Sequence, residues 1–178
     1  MEIMTIKQIK YKTGLRRLGA GIIDALVFFP LFFADSFIRD NLNNKIGLLL
    51  WLIFYLVVSF FYTVFMHYKY GQTLGKMATK IKVLTLDETR NLSILQSLLR
   101  DSFCILVQTV GLIYFIVQLI SADSSTTELL DSFDHFVGTV GLVWLLLELV
   151  SMLTNEKRRA IHDFIAGSVV IKIDNDNG

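Results

Sequence analysis

Four long apolar runs, at residues 18–38, 46–65, 102–120 and 136–153, constrain this chain more than any other feature. A bilayer's hydrocarbon core is about 30 Å thick and takes about 20 apolar helical residues to cross, and each run approaches or reaches that length. A water-soluble globule would have to bury all four. Too little polar sequence remains to cover them: 53% of the 178 residues are hydrophobic and 19% are charged, against about 25% charged in soluble chains. The expected fold is an all-α membrane protein, a bundle of about four transmembrane helices with a small loop and β element on one side. The second and third runs are the cleanest. The first contains Asp24, Pro30 and Asp35, and the fourth is short and contains Glu148.

Lysine and arginine counts orient the bundle, because positive residues are retained on the cytoplasmic side. Lys7, Lys10, Lys12, Arg16 and Arg17 precede the first run. Lys69, Lys76, Lys80, Lys82, Arg90 and Arg100 lie between the second and third, and Lys157, Arg158, Arg159 and Lys172 follow the fourth. The opposite side has only Arg39 and Lys45, so fifteen positive residues face two. Both termini, the loop 66–101 and the tail 154–178 are expected in the cytoplasm. The segment between the third and fourth runs, with Asp123, Glu128, Asp131 and Asp134 and no lysine or arginine, is expected outside. A cleaved signal peptide is the competing reading of the first run. Asp24 interrupts it, and Pro30 to Ser36 offers no small-x-small cleavage site, so the run is read as a retained span.

In the central loop, Gly71-Gln-Thr-Leu-Gly75-Lys76 invites a phosphate-loop reading. That loop needs four residues between its glycines and a Ser or Thr after the lysine, whereas three residues and Met77 stand here. A glycine-permitted turn at the membrane surface is the better reading. Ile81 to Leu86 and Gly167 to Ile173 alternate and are β-branched, which predicts two short strands paired beneath the membrane, with Val83 near Val170. Leu92, Leu95 and Leu99 predict an apolar helical face, either lying in the interface before the third span or buried in the loop.

Carboxylates in hydrocarbon cost about 2.5–3.5 kcal/mol on insertion scales, so Asp24 and Glu148 need partners, water or a proton. Counted at about 1.5 Å per residue from the expected inner ends, Asp24, Ser59 and Gln108 lie about 9 Å deep and Glu148 about 8 Å. All four spans thus contribute to one expected polar layer, although Thr109 and Gln118 lie outside it and helix ends are commonly polar. Such a layer suits proton or cation coupling with raised carboxyl pKa values, or equally a static clamp between helices. Arg17 is seven residues before Asp24, about 10 Å along the axis. It is expected to reach the phosphate region, leaving Asp24 to a partner on another helix. Pro30 can kink the first span and free a carbonyl.

Other chemistry finds no foothold. The formal net charge of +1 gives nucleic acid no electrostatic footprint. Cys104 is the only cysteine, so neither an intrachain disulfide nor a thiolate cluster is available. His67, His135 and His162 are scattered, and neither a zinc helix nor a serine elbow is present. No metal, cofactor or enzymatic activity is expected. Adjacent side chains such as His162 and Asp163 diverge on a helix, so that pair reads as a polar surface junction. Lys157-Arg158-Arg159 reads as an anchor for anionic head groups.

Three blocks together resemble the RDD family of multi-pass membrane proteins. They are Arg17-Leu-Gly-Ala20-Gly-Ile-Ile-Asp24, then Gly71-Gln-Thr-Leu-Gly75-Lys76 with Ile81-Lys-Val83, and Arg159-Ala-Ile-His162-Asp163-Phe-Ile-Ala-Gly167-Ser168-Val-Val170. Their order around the spans frames residues 16–172 as one such domain within 1–178. The resemblance implies that Arg17, Asp24 and Asp163 are signature residues. Ser168 stands where family members often have threonine, and the acidic outer loop is less typical. The implied role is transport-related without a named substrate. The expectation is movement of protons, monovalent cations or another small solute, with Asp24 as the central ionisable site and Glu148 supporting it. Self-association would enlarge so small a bundle, and Gly19, Ala20 and Gly21 permit close helix contact. The alternative is an assembly or regulatory subunit bound to another membrane protein in the bilayer.

Overall fold

The computed structural model describes residues 10–41, 44–121 and 126–173, apart from the side chains of 118, 119, 121 and 126–129. Lys7 and Asp123 therefore lie outside the described residues, as do the side chains of Gln118 and Glu128. The element order is α1 (Gly14–Asn41), α2 (Lys45–Tyr70), α3 (Leu74–Ala78), β1 (Ile81–Thr85), α4 (Ile94–Ser121), α5 (Thr126–Thr154), α6 (Ile161–Ile165) and β2 (Ser168–Lys172).

The long helices α1, α2, α4 and α5 are the four apolar runs, each long and apolar enough to cross a membrane. Their outward faces remain uncovered: Leu26 is 65% exposed, Phe61 67%, Ile113 55% and Leu146 54%. They belong to exposed apolar faces that run along each of the four helices, a surface that lipid solvent permits and water does not. Where the helices meet, Leu48, Leu52, Phe115, Leu130 and Phe133 form the inner core. Gly111 makes room there, since a β-carbon on it would meet the Phe133 ring at 2.6 Å. The Phe103 and Trp144 rings stack 3.6 Å apart between α4 and α5. Pro30 stands inside α1 without ending it.

The helices outrun the expected spans, and two segments read differently in the structure. There is no separate interfacial helix after Leu92, because α4 begins at Ile94 and runs unbroken through the span. Ser93 and Gln96 start it with a reciprocal capping box, each side chain accepting from the other's backbone N–H at 3.2 and 3.1 Å. The expected outer loop is largely helix as well, since α5 starts at Thr126 and carries Asp131 and Asp134.

The cap at the polar end assembles from segments far apart in sequence. Strands β1 and β2 pair antiparallel with Val83 opposite Val170, the register anticipated from the alternation. Ile81, Val83, Leu92 and Val170 cluster beneath the sheet with Ala20 of α1. Gly71 ends α2 with φ 68°, and its carbonyl accepts from Val83 N at 2.8 Å. A β-carbon there would meet the Val83 carbonyl oxygen at 2.7 Å, so both conformation and space require glycine. Residues 10–13 join the same end, where Lys10 pairs with Glu88.

Cysteines placed at 83 and 170 in a Cys104→Ser background should oxidise to a disulfide, read as a shift in non-reducing gel mobility. Cysteines at 83 and 169 should not, because a one-residue slip turns the side chain to the opposite face of the strand.

Candidate functional site

Asp24 sits one-third of the way along α1, and its carboxylate receives three donors. The Tyr62 hydroxyl of α2 donates at 2.8 Å, the Thr73 hydroxyl at 2.6 Å and the Gly75 backbone N–H at 2.8 Å. Tyr62 oxygen also accepts from Leu74 N at 3.0 Å, and Thr73 caps α3. The Gly-Gln-Thr-Leu-Gly turn is thus a plug seated on α1. Its close approach depends on Gly75, where a β-carbon would fall 2.0 Å from the Ala20 carbonyl oxygen. Gly19 faces Thr79 on the same turn, and Ala20 is 1% exposed. Gly19 and Ala20 of α1 therefore admit the chain's own loop, while Gly21 faces open space.

Asp163, fully buried at the start of α6, organises a second cluster. Arg17 of α1 and Arg100 of α4 each reach it at 2.7 Å, the Ala160 N–H donates at 3.0 Å and the Ser168 hydroxyl at 3.2 Å. Arg17 also donates to Thr13 and to the Arg158 carbonyl, and Arg100 to Ser168. His162 lies between Arg100, 2.7 Å from its Nε2, and Glu148 of α5, which contacts its Nδ1. Burial alone would raise the Asp163 carboxyl. The two arginines, with His162 and the Ala160 N–H, outweigh it and hold the group well below the usual carboxylate range. The basic tail also turns inward: Arg159 donates to the Ser168 and Asp163 carbonyls and lies over the Phe164 ring, while Lys157 lies 3.8 Å from Glu88.

A third polar region runs through the bundle between α2 and α4. Tyr55, Ser59, Thr63 and His67 recur every fourth residue and form one ridge of α2. With Asp101, Cys104 and Gln108 of α4, the first three line a cavity of 190 Å³. A neighbouring cavity of 250 Å³ shares Tyr55, Leu56 and Gln108 and continues to Asp35, Arg39 and Asp134 at the far end. There Arg39 bridges Asp35 and Asp134 at 2.8 Å each, and the Trp51 N–H donates to Asp35 at 2.6 Å. Ser59 and Thr63 donate to carbonyls of their own helix, which satisfies the hydroxyl protons and leaves oxygen lone pairs free to accept. At the polar end the region closes on Asp101, His67 and Lys76. His67 Nε2 lies 2.6 Å from Lys76 Nζ, and its Nδ1 lies 4.0 Å from Asp101. Burial first, then the charge of Arg100, brings the Lys76 ammonium down to about 7 against support from Asp101 and Asp24.

The expected single polar layer is therefore divided. Ser59 and Gln108 share a cavity whose lining includes neither Asp24 nor Glu148. Asp24 has its own donors, and Glu148 joins His162, Arg17 and Asp163 in the second cluster. Arg17 finds its carboxylate at Asp163, 146 positions away, instead of reaching for head groups. At the His162-Asp163 junction Asp163 is fully buried, while His162 is part-exposed and turned between Arg100 and Glu148. Sequence reasoning gave Arg100, His67, Lys76 and Asp101 no place in a site; the four-residue recurrence on α2 was the available signal for this seam. Among the described residues no group of three or more His, Cys, Asp or Glu side chains is placed to hold a metal ion.

The family model described as RDD family matches residues 11–167. No curated protein and no solved structure matches the chain.

Two outcomes follow for stability, read as thermal unfolding in detergent. Asp163→Asn strands Arg17 and Arg100 in a buried site and should cost about 3–5 kcal/mol, while Gly75→Ala, which overpacks the plug against α1, should cost at least about 1–3 kcal/mol. Because Lys76 falls from 10.5 to about 7 in the folded state, the unfolded chain binds more protons between those values, and stability should rise with pH across that window. In Lys76→Met this rise should be reduced.

Proposed function

The chain belongs to the RDD family, and on that footing we propose that it is a multi-pass, non-enzymatic protein of the cell membrane that moves protons or other monovalent cations through the seam between α2 and α4. The orientation adopted is the one implied by the positive residues, with the cap and both termini in the cytoplasm. The observation that carries the reading is the pair of adjoining cavities that place Ser59, Thr63, Asp101, Gln108, Asp35 and Arg39 along an otherwise apolar lining, inside a bundle whose outer surface is apolar. Apolar packing would have closed that seam. Here Gln108 stands at the junction of the two cavities, Arg39 with its two aspartates at one end and Asp101 at the other.

On this reading the signature residues are architectural. Asp24 already accepts three hydrogen bonds, and Asp163 is matched by two arginines, so both are largely taken up by partners within the fold. That saturation also favours the second reading, an assembly or regulatory subunit whose polar residues only orient helices.

The deciding measurement is ion flux into sealed vesicles containing the purified protein. Gln108→Leu and Asp101→Asn should lower it at least tenfold, whereas Asp24→Asn should retain it per folded molecule. Absence of flux from the unaltered protein, together with co-purification of another membrane protein in mild detergent, would establish the subunit instead.

A further inference from the structure

The cytoplasmic end of the seam holds a feature that the transport reading does not by itself require. His67 is 3% exposed, yet its Nδ1 has no hydrogen-bond partner, and the same is true of the buried Asp101 Oδ2 that it faces. A buried polar atom without a partner is costly, by about 1–3 kcal/mol, and two facing one another call for a group or a proton between them. Their 4.0 Å separation is too long for a hydrogen bond, but rotation of the Asp101 carboxylate or one intervening water would connect them. The other ring nitrogen is already engaged, 2.6 Å from Lys76 Nζ.

Resting on the transport reading, we infer that the passenger is the proton and that His67 relays it between Lys76, on the cytoplasmic side, and Asp101, at the mouth of the seam. When Lys76 is an ammonium it donates to Nε2, which leaves the ring hydrogen on Nδ1, pointing at Asp101. In the transfer, the N–H bonds at Lys76 and at Nδ1 break, while an N–H at Nε2 and an O–H at Asp101 form. The net result is one proton moved from Lys76 to Asp101, with the ring neutral before and after in opposite tautomers. The first tautomer returns when Nδ1 takes a proton from water and Nε2 gives one up to water, and Lys76 is likewise recharged from water. Protonated Asp101 then faces the lone pairs of Ser59, Thr63 and Gln108 along the cavity.

The charged and titratable groups around His67 are Lys76 from α3, Arg100 and Asp101 from α4, and His162 and Asp163 from α6. Arg100 and Asp163 are locked to one another, arginine does not release protons, and His162 is held by Glu148 and Arg100. Lys76 and Asp101 are the two groups left to exchange with the ring. A lysine titrating at about 7 is suited to giving and taking protons near neutrality.

The test uses the full chain in liposomes with an entrapped pH-sensitive dye, under an imposed membrane potential, with radioactive sodium uptake measured in parallel. Lys76→Arg keeps the positive charge and the donor to His67 but cannot release its proton, so proton flux per folded molecule should fall at least tenfold. His67→Ala should fall similarly and recover in part when imidazole is added, a rescue that a purely structural histidine would not show. Undiminished proton flux in Lys76→Arg, or sodium uptake without proton flux in the unaltered protein, overturns the relay and leaves the transport reading standing. Neither flux in the unaltered protein overturns both.

Discussion

The architecture depends on one buried carboxylate. Asp163 has no exposure to solvent, and a lone ionised carboxylate at that site would carry a desolvation cost of several kcal/mol. It stays ionised because Arg17 and Arg100 arrive from two different transmembrane helices. The cost of taking three charges out of water is met only when α1, α4 and the start of α6 are all in place. The cluster therefore acts less as a source of net stability than as a specification, since any arrangement omitting one partner strands a charge. Glu148 and His162 extend the same condition to α5. Through this network a cap of two five-residue strands and two five-residue helices is registered against a bundle that hydrocarbon solvent alone would leave free to slide.

Asp24 imposes the complementary condition on the central loop. Its three donors convert a turn that might have hung in solvent into a plug between α1 and α2, and Gly75 brings the backbones into contact. The two signature carboxylates thus do related work at neighbouring places, one accepting from arginines and the other from neutral donors. Both leave the interior of the bundle to other residues. The seam between α2 and α4 is where polarity is present without being exhausted, and it reaches the plug through His67 and Lys76.

Much of the fold was legible in the amino-acid sequence because solvent sets the rule: four apolar runs of bilayer length, separated by segments of alternating charge bias, have few arrangements open to them. The strand pairing was legible for a similar reason, since period-two alternation in two short segments flanked by polar turns leaves little choice of register. The site was less accessible. Arg17 was measured against Asp24 because they share a helix, whereas its partner lies at the far end of the chain, and no local periodicity encodes such a contact. Depth counting set Asp24, Ser59, Gln108 and Glu148 at one level, but depth says nothing of which neighbours a side chain meets, and these residues meet different ones. Lys76 was judged only against a phosphate-loop template, and failing that template concealed its contact with His67.

The strand β2 is the last described element, while its partner β1 lies between the second and third spans. During synthesis, β1 leaves the ribosome with an unpaired edge and must remain so while two further spans are inserted. Among the described elements the cap is consequently the last to close, and closure depends on α4 and α5 having adopted the correct crossings first. A chain inserted with one span missing would present β2 on the wrong face of the bilayer, with Arg17 and Arg100 unmatched.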